Sequence, residues 1–475
     1  MKEDFLYNKE DAIYRKDYIM KREHLKSRLG FILISAGCAI GIGNVWNFPW
    51  MVGQNGGGIF VLIYLFFLII MGVPAMTMEF ALGRASQKSP TKLYQELEKD
   101  GQKWHLHGII CLIGNFLLMM FYTTVAGWMI NYFVKTAKGD FVGADGAKVN
   151  EIFNNMQSSP AEMVGFMALA VFIGVLVCSF GVQKGLEKVS KVMMVALLII
   201  MVILAGNSIF MEGGGEGLKF YLLPDVDRFL EAGVGNVIVA AMNQAFFTLS
   251  IGIGSMAIFG SYIGKERSLM GESVSIAMLD TFVALASGPI IFPACFAHNV
   301  DVTAGPPLIF ITLPQIFNTI PLGRLWGSLF FVFMSFAALS TVFAVFENIV
   351  SCTMDLFEKW SRKKACLICG ISLFALSVPC ALGYNLLSDF KPFGEGSAVL
   401  DLEDFIVSNI ILPIGCLVIV LFCTRKIGWG WDNFVNEANQ GKGLKVKKWM
   451  KFYMSYILPA IVFVLFIVGV VSKFA

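Results

Sequence analysis

The chain has 475 residues, 56% of them hydrophobic and only 15% charged, with a mean hydropathy of +0.70. A water-soluble domain of this length does not carry so apolar a composition. A formal net charge of +3 gives no support to nucleic acid as a partner. Residues 1–27 are polar and charged, so the expectation there is a cytoplasmic tail rather than a cleavable leader.

A bilayer crossing needs about 20 consecutive apolar residues. Eleven such stretches are legible: 28–52, 58–82, 105–134, 163–181, 187–207, 233–262, 270–298, 325–357, 364–384, 400–424 and 448–472. The first contains GCAIGIGN (37–44), with Pro49 close behind. Glycines at alternate positions are poor material for a continuous helix. In mid-membrane, freed backbone groups are tolerated only where they are buried in protein or line a watery cavity. A break there offers N–H groups to an anion and C=O groups to a cation. A second break of this kind lies in QAFFTLSIGIG (244–254), within the sixth stretch. Two interrupted segments in corresponding halves point to a secondary-transporter site and to a five-plus-five inverted repeat, about 28–207 and 233–424. A transporter core over 28–424 would then be followed by an eleventh helix at 448–475.

The stretch 303–320 opens on TAGPP (303–307), too short and Pro-rich to span, and reads as a re-entrant or capping hairpin. Loop 136–162 is long enough to fold over the outer face. Basic residues cluster before the first stretch (Lys21, Arg22, Lys26, Arg28), between the fourth and fifth, between the eighth and ninth (Lys359, Arg362, Lys363, Lys364), and before the eleventh. By the positive-inside rule the N-terminus is cytoplasmic and the C-terminus outside. The ten cysteines fall almost entirely in apolar stretches and read as small buried hydrophobes, the pair Cys366 and Cys369 included. His105 and His107 read as interfacial residues rather than metal ligands. No nucleophile–base pair or metal cluster points to an enzyme, and nothing marks an oligomeric interface.

The runs GCAIGIGNVWNFPW (37–50), QNGGG (54–58), MEFALGR (78–84), NQAFFTLSIGIGS (243–255), LDTFVALASG (279–288), FAALST (336–341) and DFIVSN (404–409) together resemble the neurotransmitter:sodium symporter family, in a prokaryotic branch with eleven helices. The resemblance covers essentially the whole chain. It implies an all-α polytopic membrane protein of the leucine-transporter fold, with helices 1 and 6 unwound at mid-membrane.

It further implies two sodium sites. The first would use Ala39, Asn44, Thr248 and Asp280. The second would use the carbonyls of Gly37, Ile40 and Ala337 with the hydroxyls of Ser340 and Thr341. Hard oxygen ligands suit a hard cation, although Ser and Thr hydroxyls also bond back to their own helix. The substrate carboxylate would meet the amides of Ile42 and Gly43, the Tyr122 hydroxyl and the ion bound by Ala39. Its ammonium would face carbonyls near Phe247, Thr248 and Ser250. Leu118, Tyr122, Phe247, Ile253, Thr341, Ala344 and Val345 would line the side-chain pocket, where no charged group points. Ile253 and Val345 reduce bulk relative to the leucine transporter and Leu118 adds it, favouring a large hydrophobic or aromatic amino acid. Monoamine carriers place an Asp where this chain has Gly41, so the substrate is expected to bring its own carboxylate.

The same resemblance places gates at Arg22, Asp355 and Tyr262 on the cytoplasmic side, and at Asp404 on the outside. The outer Arg of the family is Asn47 here, which cannot make a bidentate bond to Asp404. Outer closure must then rest on Tyr122, Phe247 and the 303–320 hairpin, or on water between Asn47 and Asp404. Glu79 and Glu347 read as structural or gating acids rather than proton carriers. Relatives often carry a Pro in helix 5 where this chain has Val195, so no proline-driven break is expected there. Asp280 supplies a fixed negative charge, and Ala284 lacks the hydroxyl of chloride-binding relatives, so no chloride is expected.

The sequence therefore reads as a sodium-coupled symporter of the bacterial inner membrane, importing a neutral hydrophobic or aromatic L-amino acid by alternating access. The alternatives are a carrier of another amine-like solute, a proton-coupled carrier, or a non-transporting sensor on the same fold.

Overall fold

A computed structural model of the protein describes residues 25, 27–211, 213–298 and 308–474. The described residues are helical, and nine helices are long and apolar enough to cross a membrane. These are helix 2 (Gly58–Ser86), helix 3 (Leu106–Lys138), helix 4 (Pro160–Ser179), helix 5 (Val182–Ile209), helix 7 (Leu269–Ala297), helix 8 (Gly323–Leu356), helix 9 (Arg362–Leu382), helix 10 (Val399–Thr424) and helix 11 (Met450–Phe474). Large apolar side chains such as Phe66, Phe172, Val202 and Phe463 point outward and are exposed. Such a surface is stable only against hydrocarbon.

The two remaining stretches are interrupted. Helix 1 is a bent pair, Arg28–Ala39 and Gly43–Gln54, with 60° between its halves. Ser27 caps its start, accepting a bond from the Gly30 N–H at 3.0 Å. The break is where glycine is needed for lack of room. A Cβ at Gly41 would lie 2.3 Å from the Tyr122 hydroxyl and 2.8 Å from Thr341 Oγ1. Helix 6 consists of Val234–Phe247 and Ser255–Gly260. Between them Gly252 (φ 114°) and Gly254 (φ 79°) hold backbone that L-residues avoid, and a Cβ on Gly252 would meet the Leu412 carbonyl at 2.3 Å.

Helix 8 is the hub, with 83% of its apolar window buried among its neighbours. Helix 5 runs on without a break at Val195, which lies exposed on its outer face. A short helix, Gly146–Ser158, crosses the 136–162 loop, and its Phe153 stacks on Phe310 at 5.5 Å between ring centroids. Of the 303–320 hairpin, residues 308–319 form two short helical pieces, Leu308–Thr312 and Leu313–Thr319. The TAGPP residues lie outside the described residues.

All ten cysteines are free and buried. His107 corrects the interfacial reading. It is 5% exposed, with Nδ1 2.8 Å from the Tyr94 hydroxyl. The next residue is Gly108, which sits so tightly against the 90–91 backbone that a Cβ would approach the Pro90 carbonyl to 2.4 Å, and this draws that turn of helix 3 inward. His105, by contrast, is partly exposed and pairs with Glu98.

Candidate functional site

The two breaks meet through Asn44. Its Nδ2 donates to Asp280 Oδ1 at 2.8 Å, to Thr248 Oγ1 at 3.1 Å and to the Asp280 carbonyl at 3.3 Å. The Thr248 hydroxyl donates to Asp280 Oδ2 at 3.0 Å, and Asn44 Oδ1 accepts from the Gly41 N–H at 3.1 Å. All three side chains are buried. A carboxylate without compensation at this depth is costly, so a polar cluster built around Asp280 is a specific arrangement. Ala39 is buried at the end of the first half of helix 1.

A second oxygen cluster joins helix 1 to helix 8. Ser340 Oγ lies 3.2 Å from the Ile40 carbonyl and 2.8 Å from that of Ala337. Thr341 Oγ1 lies 3.4 Å from the Gly37 carbonyl and 3.5 Å from those of Cys38 and Ile40. Two hydroxyl protons face four carbonyls, at mostly long distances, so most lone pairs there make weak bonds or none. A set rich in hard oxygen acceptors and poor in donors fits a small hard cation.

Beside these clusters the Ile42 N–H donates to the Tyr122 hydroxyl at 3.0 Å. The open backbone of helix 6 is held by Glu79 on helix 2. Its carboxylate accepts from the N–H groups of Gly252 (3.0 Å), Met256 (2.9 Å) and Ala257 (3.4 Å). Replacing Glu79 with Gln sets an amide N–H against one of these N–H groups. Leaving a buried donor unsatisfied costs about 1–3 kcal/mol. The expected outcome is a lower unfolding temperature in a thermal-shift assay without substrate, with Glu79→Asp less affected than Glu79→Ala.

A cavity of about 610 Å³ reaches this region. Ile42, Gly43, Asn47, Tyr122, Phe247 and Asp404 are among its lining residues. Leu118, Ile253, Thr341, Ala344 and Val345 are buried and outside its walls, and Ser250 does not line it. Ser250 adopts φ 49°, a strained value for a residue with a side chain.

Asn47 and Asp404 share the cavity wall but are bonded elsewhere. Asn47 Nδ2 donates to Gln244 Oε1 at 2.8 Å, and Gln244 Nε2 donates to the Gly43 carbonyl at 3.3 Å. Asp404 accepts from the Ser408 hydroxyl at 2.7 Å. The Asn47 amide thus serves the joint between helices 1 and 6.

The opposite end is closed by packed polar groups. The Tyr262 hydroxyl donates to Glu347 at 2.7 Å and lies 2.8 Å from Ser351 Oγ, which itself donates to Glu347 at 3.0 Å. Arg362 makes a two-pronged ion pair with Glu347 and donates through Nε to the Cys178 carbonyl at 2.7 Å. Asp355 accepts from the Ser89 N–H at 2.7 Å. Arg22 lies outside the described residues. Arg362 is the functional residue that sequence reasoning passed over, since it counted only as one of a basic cluster that sets orientation. Fifteen residues from Glu347, it follows no local motif; the one available signal was a buried acid in need of a cation.

Two broken membrane helices, joined at their breaks by buried oxygen clusters beside a cavity of about 610 Å³, define a solute carrier. A profile described as the sodium:neurotransmitter symporter family matches residues 22–148 and 146–474. An uncharacterised sodium-dependent transporter of Bacillus subtilis is 35% identical, over 94% of this chain and 98% of its own length. A similarly described transporter of Methanocaldococcus jannaschii is 30% identical over 93% of this chain and 89% of its own. The sodium- and chloride-dependent taurine transporter of Rattus norvegicus is 25% identical over 95% of this chain and 78% of its own. Among solved structures, MhsT in complex with L-phenylalanine superposes with a TM-score of 0.84 at 34% identity, covering 94% of this chain and all of that one. The chain belongs to the sodium:neurotransmitter symporter family. It is a sodium-dependent, multi-pass membrane transporter of a small molecule and not an enzyme.

Proposed function

We propose that the protein imports a neutral hydrophobic or aromatic L-amino acid together with sodium, by alternating access and without chloride. The observation that carries this reading is the meeting of the Ile42 amide edge, the Tyr122 hydroxyl and the Asn44–Thr248–Asp280 cluster at the two breaks. Ala39, Asn44, Thr248 and Asp280 would hold one sodium, and Gly37, Ile40, Ala337, Ser340 and Thr341 a second. A substrate carboxylate placed at Ile42 and Gly43 completes the first of these sites. Binding of the two is thereby coupled, and by linkage each raises the affinity of the other by the same factor.

Gly41 decides between amino acids and simple amines. With no room for a Cβ there, helix 1 adds no second carboxylate to that of Asp280, and an amine lacking its own carboxylate leaves the two ions under-compensated. Phe247 lines the cavity, and Leu118, Ile253, Ala344 and Val345, buried outside its walls, would offer only apolar surface to a substrate side chain that reached them. MhsT, 34% identical, is named as a complex with L-phenylalanine, which supports the aromatic end of this range.

In the bacterial inner membrane, with the N-terminus cytoplasmic, the cavity lined by Asn47 and Asp404 faces outside. The Tyr262–Glu347–Arg362 network then closes the cytoplasmic end, with Arg22 and Asp355 as its companions. Transport requires the first seal to form around the substrate and the second to open. Helices 1, 2, 6 and 7 would move as one body against helices 3, 4, 8 and 9.

The test is thermal stabilisation of the purified protein by each of the twenty amino acids, in sodium chloride, sodium gluconate and choline chloride. A ligand at one hundred times its Kd adds about 2.7 kcal/mol of stability. Sodium-dependent stabilisation by large apolar amino acids, equal in chloride and gluconate, is the expected result. No response to any amino acid in sodium rejects the substrate class, and a response lost in gluconate rejects chloride independence. Uptake into proteoliposomes under a sodium gradient separates a carrier from a sensor.

A further inference from the structure

The open stretch of helix 6 is held from two sides. Its N–H groups are bonded by Glu79 on helix 2. The carbonyl of Ile253 is bonded from the other side, by Asn115 Nδ2 on helix 3 at 2.8 Å and by Asn348 Nδ2 on helix 8 at 3.4 Å. The two amides are themselves linked, Asn348 Nδ2 donating to Asn115 Oδ1 at 3.1 Å. Asn115 Nδ2 also donates to the Cys111 carbonyl at 2.6 Å. The amide orientation follows from chemistry: two carbonyls flank the Asn115 nitrogen, so its oxygen must turn to the Asn348 donor. Both side chains are fully buried. The Ser255 hydroxyl, at 3.5 Å from Asn115 Oδ1, closes the group on the far side of the break.

We propose that Asn115 and Asn348 are positioning residues for the substrate pocket, a two-amide clamp that fixes the Ile253 backbone and sets how its side chain meets the substrate. This rests on the reading above that places Ile253 in the pocket. The clamp also joins the broken helix 6 to helices 3 and 8, whereas Glu79 joins it to helix 2. It is therefore a bond between the two bodies that must shift during transport. Because Asn348 orders Asn115 and both reach one carbonyl, losing either releases the same segment, and the two losses do not add.

The test uses the full-length protein with Asn348→Leu, Asn115→Ala and the double variant, and Asn348→Ser as a milder change should Leu fail to fold. Ser377→Ala is the control. It removes another buried bond to helix 3, that from Thr123 at 3.1 Å, without touching helix 6. Two readouts are taken. Hydrogen exchange of amides 249–257, measured without substrate, is expected to rise roughly ten-fold on loss of the clamp, the size of one net hydrogen bond. Sodium-dependent binding of L-phenylalanine is expected to weaken by a similar factor, and its preference over L-alanine to narrow. The double variant should match the stronger single one. Exchange indistinguishable from the unmodified protein, or effects that add across the two sites, overturns the clamp. If the unmodified protein binds no amino acid, the functional reading fails instead, and the exchange measurement still decides the clamp by itself.

Discussion

Asp280→Asn will lose sodium-driven uptake in chloride-free medium by at least two orders of magnitude, and a remnant of activity will return when chloride is supplied. The proposed first ion site contains one protein carboxylate, and Asp280 carries it. Both of its oxygens are committed, Oδ1 to Asn44 and Oδ2 to Thr248, in a region with no exposure to water. In such surroundings, removing one member of a charged set costs about 3–5 kcal/mol. At about 1.4 kcal/mol per ten-fold change, that is a loss of roughly two to three and a half orders of magnitude in ion affinity. Two sodium ions and one substrate carboxylate leave a surplus positive charge, which Asp280 offsets at no cost in diffusible anion. Asn keeps the shape and one acceptor oxygen but not the charge, and a bound chloride is then the available replacement. Stability without ligand should move the other way or not at all, because a buried carboxylate no longer needs compensation. The measurement is uptake into proteoliposomes in sodium chloride against sodium gluconate, with thermal stability alongside. Full uptake by the variant in gluconate would sink the charge argument.

What the sequence made legible were features written locally. The run of Gly37, Gly41 and Gly43 announces a break because closely spaced glycines are poor helix formers; Gly37 stays helical, and helix 1 bends by 60° just beyond it. Val195 in place of proline announces an unbroken helix 5, and the helix runs through it. The span at 233–262 is continuous in hydropathy, so its two helical pieces could be inferred only from Gly252 and Gly254. Features made by tertiary contact were not legible. Asn115 stands alone in an apolar stretch and Asn348 follows Glu347, 233 positions apart, and nothing local says that they face one another. Asn47 was read against Asp404 because both occupy gate positions by resemblance. Its actual partner, Gln244, is set by how helix 6 packs on helix 1. His107, without metal-ligand spacing, reads as interfacial, and the tight approach of Gly108 to the 90–91 backbone leaves it buried.

Arg362→Gln will open the end of the molecule proposed above to face the cytoplasm. Glu347 is fully buried, and Arg362 is the cation that faces it, with 17% of the Arg362 side chain exposed. Removing the cation leaves a buried carboxylate held only by the Tyr262 and Ser351 hydroxyls, again a cost of about 3–5 kcal/mol in the closed arrangement. Water entering from the cytoplasm relieves that cost, so the equilibrium moves toward the inward-open state. A gap of that size is most of the roughly 5.5 kcal/mol that a full swing from 1:99 to 99:1 takes, so the inward-open population rises steeply. Arg362 also donates to the Cys178 carbonyl at the end of helix 4, and the buried Cys178 thiol faces the Phe343 carbonyl on helix 8, so separation of helices 4 and 8 at this end exposes a native thiol. The expected result is faster labelling of Cys178 by a membrane-impermeant maleimide in inside-out vesicles, with weaker binding of substrate from the outside. A simple unfolding effect would expose all ten thiols together, which mass spectrometry of the labelled peptides distinguishes. The double variant Glu347→Gln, Arg362→Gln is the decisive arm. A neutral pair has no charge to desolvate, so closure should largely return, and the double should label more slowly than Arg362→Gln alone. Equal labelling in single and double variants would mean that Arg362 acts through packing on helix 4 and not by neutralising Glu347.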